Sequence, residues 1–352
     1  MEVLNTSYNI EEHSKIKLCI YKEYLKAYLA IMSVQPWYKR INVIDPFAGI
    51  SIANNGQEGS AVIARNIIQG LSTDKQVRLY LNELDKNNFQ QLKKNVGTHS
   101  FVTFCNEDAD DFLFRMAAGT LSGHKLYFID PFGYTQISKS TYDAYLFNSG
   151  NSDVLIFIPI YHIYRFLKRG AEDKQLTPIA KFLNDLDISE ENAKSVSNYK
   201  EFAELVKENL KKIAKTRFVY YKLIDNESSN SHYALFFVTK HILGAEKFIE
   251  AIRKFDQQPN LFYRFIATND ELEFVDMIKN CERSLTNRHL YFEGIMHGLL
   301  SADIKKILTQ LECEGKIIVS ALHGQKRVGK AFYVSYGNFD KEPKIEIKWI
   351  GE

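Results

Sequence analysis

The amino-acid sequence predicts an α/β protein built on a doubly wound, mostly parallel sheet. Short, nearly continuous apolar runs alternate with amphipathic helical segments through the first half of the chain, a pattern typical of strands covered by helices on both faces. Right-handed crossovers then bring the carboxyl ends of the parallel strands to one edge of the sheet. Ligands in such folds bind at that edge, near the point where the strand order reverses.

Length and composition limit the classes of protein that the chain can represent. Its 352 residues suggest two domains, or one large domain with an appendage. Apolar residues make up 45% and charged residues 25%, which excludes a wholly disordered chain. The formal net charge of +2 excludes a protein that coats polyanions through overall charge, but leaves a local basic patch open. Aromatic residues reach 13%, so some rings are candidates to stack on a base or cofactor; a ring-rich core is the alternative.

Cysteine usage and hydropathy predict a cytoplasmic, bacterial protein without a membrane span. The four cysteines include no CxxC pair, so neither a metal site nor a redox motif is indicated. Sparse cysteine in a chain of this length is typical of a reducing compartment. Neither a signal-like apolar core near the N-terminus nor an apolar run of membrane-spanning length occurs in the sequence.

The elements can be assigned in order along the chain. Residues 1–39 precede the sheet, and apolar residues at helical spacing predict a helix over 10–34 that ends before Pro36. The sheet domain follows over 40–260. Its first strands are predicted at 41–44, 77–81, 101–104, 126–129 and 154–158, with helices between them near 60–70, 86–96, 107–118 and 138–147.

A charged stretch over 160–215 interrupts this alternation. Its pattern is mainly helical, and we interpret it as a helical insertion into the sheet domain or a cap over it. Two further strands, at 218–223 and 233–239, and a helix at 243–255 complete the predicted domain.

The region 272–340 is predicted to form a small separate domain that resembles a winged helix-turn-helix. Helical patterns near 288–298 and 302–314 precede two predicted strands at 316–320 and 331–336. A polar, Gly-rich and basic turn joins these strands, as at the tip of a wing.

The sequence of the turn is close to that of a phosphate-binding loop. However, Ala331 occupies the position where a Ser or Thr would bind magnesium, and the pattern that follows predicts a strand and not a helix. We therefore predict that Lys326, Arg327 and Lys330 contact nucleic-acid phosphates from the wing. A solvated hairpin in a protein–protein module has equal weight.

The first strand ends in a candidate ligand-binding turn. Asp45 is followed by Pro46, Phe47, Ala48 and Gly49. The glycine lets the backbone approach a ligand closely, and the carboxylate can pair with a cation or an amine. An ordinary strand-to-helix turn is the alternative.

Acidic residues also follow the second and third strands. Glu83 lies where a carboxylate accepts hydrogen bonds from both ribose hydroxyls of a nucleoside. Asp108 lies where it could accept from an adenine amino group. Both positions equally suit acidic residues that cap a following helix or complement its dipole.

The sharpest motif follows the fourth strand. Pro131 directly after Asp130 ends the strand, because proline cannot donate to the sheet ladder. The Asp130 carboxylate and the Pro131 carbonyl could then accept hydrogen bonds from an amine, with Phe132 or Tyr134 stacking on a base. The alternative is that these residues only form a tight turn after the strand and bind no ligand.

In order and position, these motifs resemble those of class I S-adenosylmethionine-dependent methyltransferases, and more narrowly the bacterial three-Cys-motif partner proteins. The resemblance covers about residues 10 to 245. It rests on Asp45 to Gly49, Glu83, Asp108 and Asp130 to Gly133, with His13 and Lys17 in the leading helix, Trp37 to Arg40 and Glu58 to Ser60.

The resemblance implies a Rossmann-like methyltransferase sheet and S-adenosylmethionine as cofactor. It implies that Asp45 to Gly49 line the methionine part, Glu83 binds the ribose and Asp108 faces the adenine. Asp130, Pro131 and Phe132 would be the catalytic residues that face the methyl acceptor. The chain departs from related patterns at three residues: Phe132 replaces a second proline, Gly133 replaces an aromatic residue, and Ser51 replaces a second glycine. Ser51 therefore needs a backbone conformation that glycine adopts more cheaply.

The sequence therefore predicts a methyltransferase-like protein that acts on an amine of nucleic acid. One alternative is a non-catalytic binding partner of a radical-enzyme-like, three-Cys-motif protein. The other is a metal-dependent nuclease, because four carboxylates predicted at one edge could hold magnesium.

Overall fold

The computed structural model describes residues 12–351, apart from 54, 118–120, 132, 134, 144–150, 170–172, 227–230, 257–269 and 325. The chain divides into two compact units, Met1–Lys240 and His241–Glu352. The predicted boundary lay nearer residue 260.

The first unit contains a seven-stranded sheet. Its strands are β1 (Arg40–Asp45), β2 (Gln76–Asn82), β3 (Val102–Cys105), β4 (His124–Ile129), β5 (Ser152–Ile158), β6 (Phe218–Asn226) and β7 (Ser231–Thr239). They lie in the order β3-β2-β1-β4-β5-β7-β6. The first five pair in parallel, whereas β7 is antiparallel to both of its neighbours. This confirms the predicted doubly wound, mostly parallel α/β sheet, whose order reverses between β1 and β4.

Helices connect the parallel strands. They are α1 (Glu12–Val34) before β1, then α2 (Ser60–Gln69), α3 (Lys86–Val96), α4 (Ala109–Ala117) and the short α5 (Lys139–Thr141). Most of the remainder of the helix predicted at 138–147 lies outside the described residues. The apolar strands are buried on both faces, which is why their sequences read as continuous apolar runs.

The stretch between β5 and β6 is helical, as predicted. It forms α6 (Ile160–Arg169), α7 (Asp173–Asp185), α8 (Glu190–Ser195) and α9 (Tyr199–Ala214). Phe182 and Phe202 of these helices share one buried core with Ile156 and Phe236 of the sheet. The helices therefore cover the β5–β7 half of the sheet and bury its apolar side chains.

The leading helix α1 belongs to the core of the first unit. The Tyr21 ring stacks on Phe128 of β4 with centroids 4.2 Å apart. The Tyr24 hydroxyl donates to Asp153 Oδ2 at 2.7 Å, and the Thr239 hydroxyl donates to Asp153 Oδ1 at 2.6 Å. Asp153 is buried, so these donors satisfy a carboxylate that would otherwise be costly to enclose.

The second unit combines helices with a three-stranded antiparallel sheet. Its elements are α10 (Ile242–Asp256), α11 (Asp270–Lys279), β8 (Leu285–Thr286), α12 (Asn287–Met296), α13 (Ser301–Cys313), β9 (Ile317–Ala321), α14 (Tyr336–Phe339) and β10 (Ile345–Trp349). The strand order is β8-β10-β9. Helix α10 lies in this unit because the Tyr291 hydroxyl donates to Glu246 at 2.6 Å and Arg253 pairs with Asp303.

The strand predicted at 331–336 is absent from this part of the described chain, and β10 pairs with β9 instead. Lys330 and Tyr333 have left-handed backbone angles, with φ of 60° and 54°, that a strand does not accommodate. Phe332 and Val334 are nevertheless buried. The apolar pattern at 331–336 therefore marks a loop anchored in the core, and the sheet extends beyond the predicted limit at residue 340.

Within the described residues, the helices lack the combination of length and apolar character that a membrane span requires.

The Asp153 network provides a test of how α1 is held. In Asp153→Asn, the new amide group has one acceptor oxygen in place of two, so one of the two hydroxyls loses its acceptor. We expect the free energy of unfolding to fall by about 2 kcal/mol in urea titrations, as for buried hydrogen bonds to charged groups. Glu190→Gln, at an exposed pair with Lys194, should change it by less than about 0.5 kcal/mol. Equal stability of the two variants would contradict a structural role for the network.

Candidate functional site

The carboxyl ends of the parallel strands bring the predicted acidic residues to one edge of the sheet. Asp45 is the last residue of β1, Glu83 follows β2, Asp108 precedes α4 and Asp130 follows β4. This placement follows from the parallel pairing of β1 with β2 and β4, and of β2 with β3.

A cavity of about 610 Å³ lies at this edge, over the ends of β1, β2 and β3. Phe47, Glu83 and Asp108 line it, so three of the predicted cofactor-binding residues come together. Gln136 lines the cavity from the segment after β4. The volume falls in the range of about 300–1,000 Å³ that is usual for small-molecule sites.

Glu83 is held in place within the cavity wall. The residue is buried, and its Oε1 accepts from the Asp85 N–H at 2.9 Å. The Asn106 side chain donates to the Glu83 carbonyl at 2.6 Å. One carboxylate oxygen thus fixes the orientation of the side chain while the residue lines the cavity. Asp85 in turn caps α3 through its own carboxylate, so the capping alternative applies to Asp85.

Asn82 ties three strand ends together. Its side-chain amide donates to the carbonyls of Pro46 and Glu107, at 3.2 and 3.0 Å, and its Oδ1 accepts from the Glu107 N–H at 3.2 Å. Its backbone carbonyl accepts from the Ala48 N–H at 2.9 Å. The position of the Phe47 turn relative to Glu83 therefore depends on one buried asparagine, which the sequence analysis did not single out.

The loop after β1 has the backbone that the sequence predicted. Gly49 has φ of 56°, and a Cβ built there would meet no atom within 4 Å, so open space lies beside it. Ser51 adopts φ of 59°, the left-handed region that glycine enters more cheaply. Its hydroxyl oxygen accepts from the Val62 N–H at 3.1 Å, and its carbonyl accepts from the Gly59 N–H at 2.8 Å. These bonds stabilise the strained residue.

Asp45 is almost completely enclosed. Its Oδ2 accepts from the Ser60 hydroxyl at 2.5 Å and its Oδ1 from the Phe47 N–H at 3.1 Å. Burial raises the pKa of the Asp45 carboxyl to about 7, against the opposing effect of these two donors; the charge of Asp130 adds to the rise and that of Lys17 opposes it. Asp45 is therefore poised to change its charge near neutral pH.

Lys17 of α1 extends into the same region and pairs with Asp130. Its Nζ donates to Asp130 Oδ2 and lies 4.3 Å from the centroid of the Phe157 ring. Lys17 is 5% exposed, so both contacts are sheltered from water. Lys17 is one of the residues on which the family resemblance rests, and the structure places it against the carboxylate of the predicted acceptor site.

The remaining predicted residues have varied surroundings. Pro131 lies at the edge beside Asp130, whereas Phe132 lies outside the described residues. Asp108 is exposed at the start of α4, where its Oδ1 accepts from the Asp110 N–H at 2.8 Å. It therefore caps the helix as well as lining the cavity. Of the predicted site residues, Asp45, Ala48, Gly49 and Asp130 are not among those that line the cavity.

In the second unit, the predicted wing residues differ from one another. Lys326 and Lys330 are exposed. The Arg327 guanidinium donates to both carboxylate oxygens of Glu312, at 2.5 and 3.1 Å, and lies 4.4 Å from the centroid of the Phe332 ring. Arg327 thus stabilises its own loop, and the two lysines provide the exposed charge.

Among the residues that the structure describes, no group of three or more His, Cys, Asp or Glu side chains converges as a metal site would require. This arrangement of side chains gives the nuclease alternative no support.

The chain has distant likenesses among solved structures. No protein-family model and no curated protein matches it. Protein LPL1258 of Legionella pneumophila, of the family DUF519, is 15% identical with a TM-score of 0.45, over 73% of this chain and 96% of that one. The O-methyltransferase TomG of Streptomyces achromogenes, solved in complex with SAM, is 12% identical with a TM-score of 0.35, and the match covers 66% of this chain and 92% of TomG. A protein assigned as an rRNA methylase of Clostridium thermocellum is 10% identical with a TM-score of 0.30, and the match covers 60% of this chain and 93% of that protein. Similarity at this level assigns no activity to the chain.

The raised pKa of Asp45 predicts a pH-dependent difference in stability. Because the folded-state pKa of about 7 exceeds the ordinary value of 3.8, ionisation is disfavoured in the fold, and the wild type loses stability as the pH rises from about 4 to about 7. Asp45→Asn has no such charge, so the difference in unfolding free energy between the variant and the wild type should shift in favour of the variant by on the order of 4 kcal/mol between pH 4 and pH 8. At pH 4 the variant should be the less stable protein, because its amide has one acceptor oxygen for the two donors Ser60 and Phe47.

Urea unfolding at pH 4, 5.5 and 8 measures this difference. Asp74→Asn, at an exposed position, is the control and should follow the wild type at each pH. Parallel pH profiles for Asp45→Asn and the wild type would contradict the buried, protonated state of Asp45.

Proposed function

We propose that the protein is an S-adenosylmethionine-dependent methyltransferase that acts on an amine of nucleic acid. The observation that carries the proposal is the cavity at the edge of the sheet, lined by Phe47, Glu83 and Asp108 among others. It places an apolar ring, a buried carboxylate and an exposed carboxylate around a space of nucleoside size, beside the reversal of strand order.

The residues present fit this cofactor. Glu83 offers a carboxylate of fixed orientation to the ribose hydroxyls, and charge-assisted hydrogen bonds of this kind are strong. Asp108 faces the adenine and Phe47 offers a ring to its plane. The open backbone at Gly49 and the buried carboxylate of Asp45 suit the methionine part, whose amino group and sulfonium carry positive charge.

When bound, the cofactor supplies a methyl group that is already activated, so the chain mainly has to align the acceptor. We assign Asp130 Oδ1 and the Pro131 carbonyl to the acceptor amine, because Lys17 occupies Asp130 Oδ2. Lys17 holds the carboxylate in one orientation and offsets its charge. The partly buried pair thereby directs the lone pair of a neutral amine without leaving an unpaired charge in a sheltered site.

A non-catalytic role is the second candidate. It is favoured by Lys17 itself, whose ammonium group occupies the carboxylate to which an acceptor amine would bind. In that case the protein would bind the cofactor and serve a partner, as its resemblance to the three-Cys-motif partner proteins suggests.

For the second unit we propose a winged-helix-like module that contacts the backbone of nucleic acid. Helix α13 exposes Lys305 and Lys306, and the loop between β9 and β10 exposes Lys326 and Lys330. Such contacts give affinity that depends on salt and little on sequence.

Cofactor binding is tested by isothermal calorimetry with S-adenosylhomocysteine. We expect Glu83→Gln to weaken binding about 10- to 100-fold, because it replaces the charged acceptor of the ribose hydroxyls. Glu58→Gln is the matched control, because Glu58 is exposed and bonds Asn66. Absence of binding by the wild type, or equal affinity of Glu83→Gln, would contradict the proposal.

Methyl transfer is tested with labelled S-adenosylmethionine and pooled RNA and DNA. Asp130→Asn should lower transfer by about 100-fold, since it misaligns the acceptor, while the affinity for S-adenosylhomocysteine stays within about twofold of wild type because Asp130 lies outside the cavity lining. A wild-type protein that binds the cofactor but labels no nucleic acid would favour the non-catalytic role.

A further inference from the structure

Three rings cluster at the carboxyl end of β5 and the start of β7. Tyr199 and His232 are stacked, with centroids 4.3 Å apart and planes at 7°. The Tyr161 ring stands across both, at 4.9 Å from His232 and 5.8 Å from Tyr199. All three residues are only partly buried. By contrast, Ile160 and Ile163, which lie on the inner face of α6, are fully buried. The cluster therefore presents ring surface at the edge of the sheet.

The cluster lies at the same edge of the sheet as the proposed acceptor site. Lys17, which pairs with Asp130, lies over the Phe157 ring, and Phe157 stacks on Tyr233 with centroids 5.0 Å apart. Tyr233 directly follows His232 in β7, so the two rings project from opposite faces at the same end of the strand. The rings of Phe157 and Tyr233 therefore lie on the face that carries Lys17, and the ring cluster lies on the other face at the same edge, on the β5–β7 side and away from the cavity over β1 to β3.

Arg165 adds a cation one turn along α6 from Tyr161. Its guanidinium lies 5.0 Å from the centroid of the Phe166 ring. Among the described residues, its Nε is buried and has no hydrogen-bond partner. The residue as a whole is only partly buried, so the terminal N–H groups of the guanidinium, and not the enclosed Nε, are the donors available to a phosphate oxygen.

We propose that Tyr161, Tyr199 and His232 form a stacking site for an unpaired nucleobase, and that Arg165 contacts an adjoining phosphate. The inference rests on the proposed methyltransferase function and names its substrate class as single-stranded nucleic acid. Aromatic rings that alternate with cations bind single strands because every base has a face to stack and every nucleotide a phosphate to pair. The site also supplies base stacking at a place other than the turn after Asp130, where Gly133 lacks a ring.

The test uses a single-stranded oligonucleotide that contains 2-aminopurine, whose fluorescence is quenched on stacking. With S-adenosylhomocysteine present, wild type should bind it and quench the probe. Tyr161→Leu should remove the quenching and weaken binding about tenfold, as for loss of one base–aromatic contact. Tyr161→Phe keeps the ring and should behave as wild type, as should Trp37→Leu, whose ring is 81% exposed beyond the opposite end of β1.

Arg165→Gln provides an independent readout. Loss of one phosphate contact on a single strand should reduce the slope of log affinity against log salt by about 0.7. Unchanged quenching in Tyr161→Leu, together with an unchanged salt slope in Arg165→Gln, would overturn the inference. His232→Leu repeats the quenching test if Tyr161→Leu does not fold.

Calorimetry with S-adenosylhomocysteine separates this inference from the proposed function. Cofactor binding without oligonucleotide stacking would overturn the stacking site alone. Stacking without any cofactor binding would overturn the methyltransferase and retain a single-strand binding site.

Discussion

The pairing of Lys17 with Asp130, beside the buried Asp45, is the interaction on which the site depends. Two carboxylates and one ammonium lie close enough for their charges to act on one another. With Asp130 paired, the burial of Asp45 leaves one excess negative charge that the fold accommodates poorly, which is why its pKa rises to about 7. A ligand that brings positive charge to Asp45 would favour its ionised form. Binding of such a ligand and proton release from Asp45 are therefore linked.

The pair depends in turn on how α1 is anchored. Tyr21 stacks on Phe128, Tyr24 donates to Asp153, and Tyr28 lies 3.0 Å from His124 Nδ1. Tyr24 and Tyr28 follow Lys17 at helical spacing of seven and eleven residues, so the same face of the helix carries the ammonium and the hydroxyls. Polar partners on the strands fix the rotation of this face, because a helix that turned would leave several buried polar groups unpaired. A helix that precedes the sheet in sequence is thus a part of the site.

The sequence was sufficient to predict the features that depend on local pattern. Apolar periodicity gave the strands of the sheet, and parallel pairing then required Asp45, Glu83 and Asp130 to share an edge. The left-handed conformation of Ser51 was expected from the resemblance, because related patterns have a glycine there. Lys17 and Asn82 were missed as site residues because their roles come from distant contacts: Lys17 and Asp130 are 113 residues apart. The strand predicted at 331–336 was wrong. Phe332 and Val334 are buried and alternate along the chain as in a strand, but the left-handed backbone at Tyr333 excludes a strand there.

The strand order explains why the cavity and the ring cluster lie on opposite sides of Asp130. The cavity lies over the ends of β1, β2 and β3, and the ring cluster lies beyond β5 and at the start of β7. Strand β4 separates them, and it pairs with β1 on one side and β5 on the other. In the proposed function, a group transferred from the cavity towards the ring cluster would pass the end of β4. Asp130 and Pro131 are the residues that the chain places there, so the proposed acceptor site follows from the reversal of strand order and not from the cavity alone.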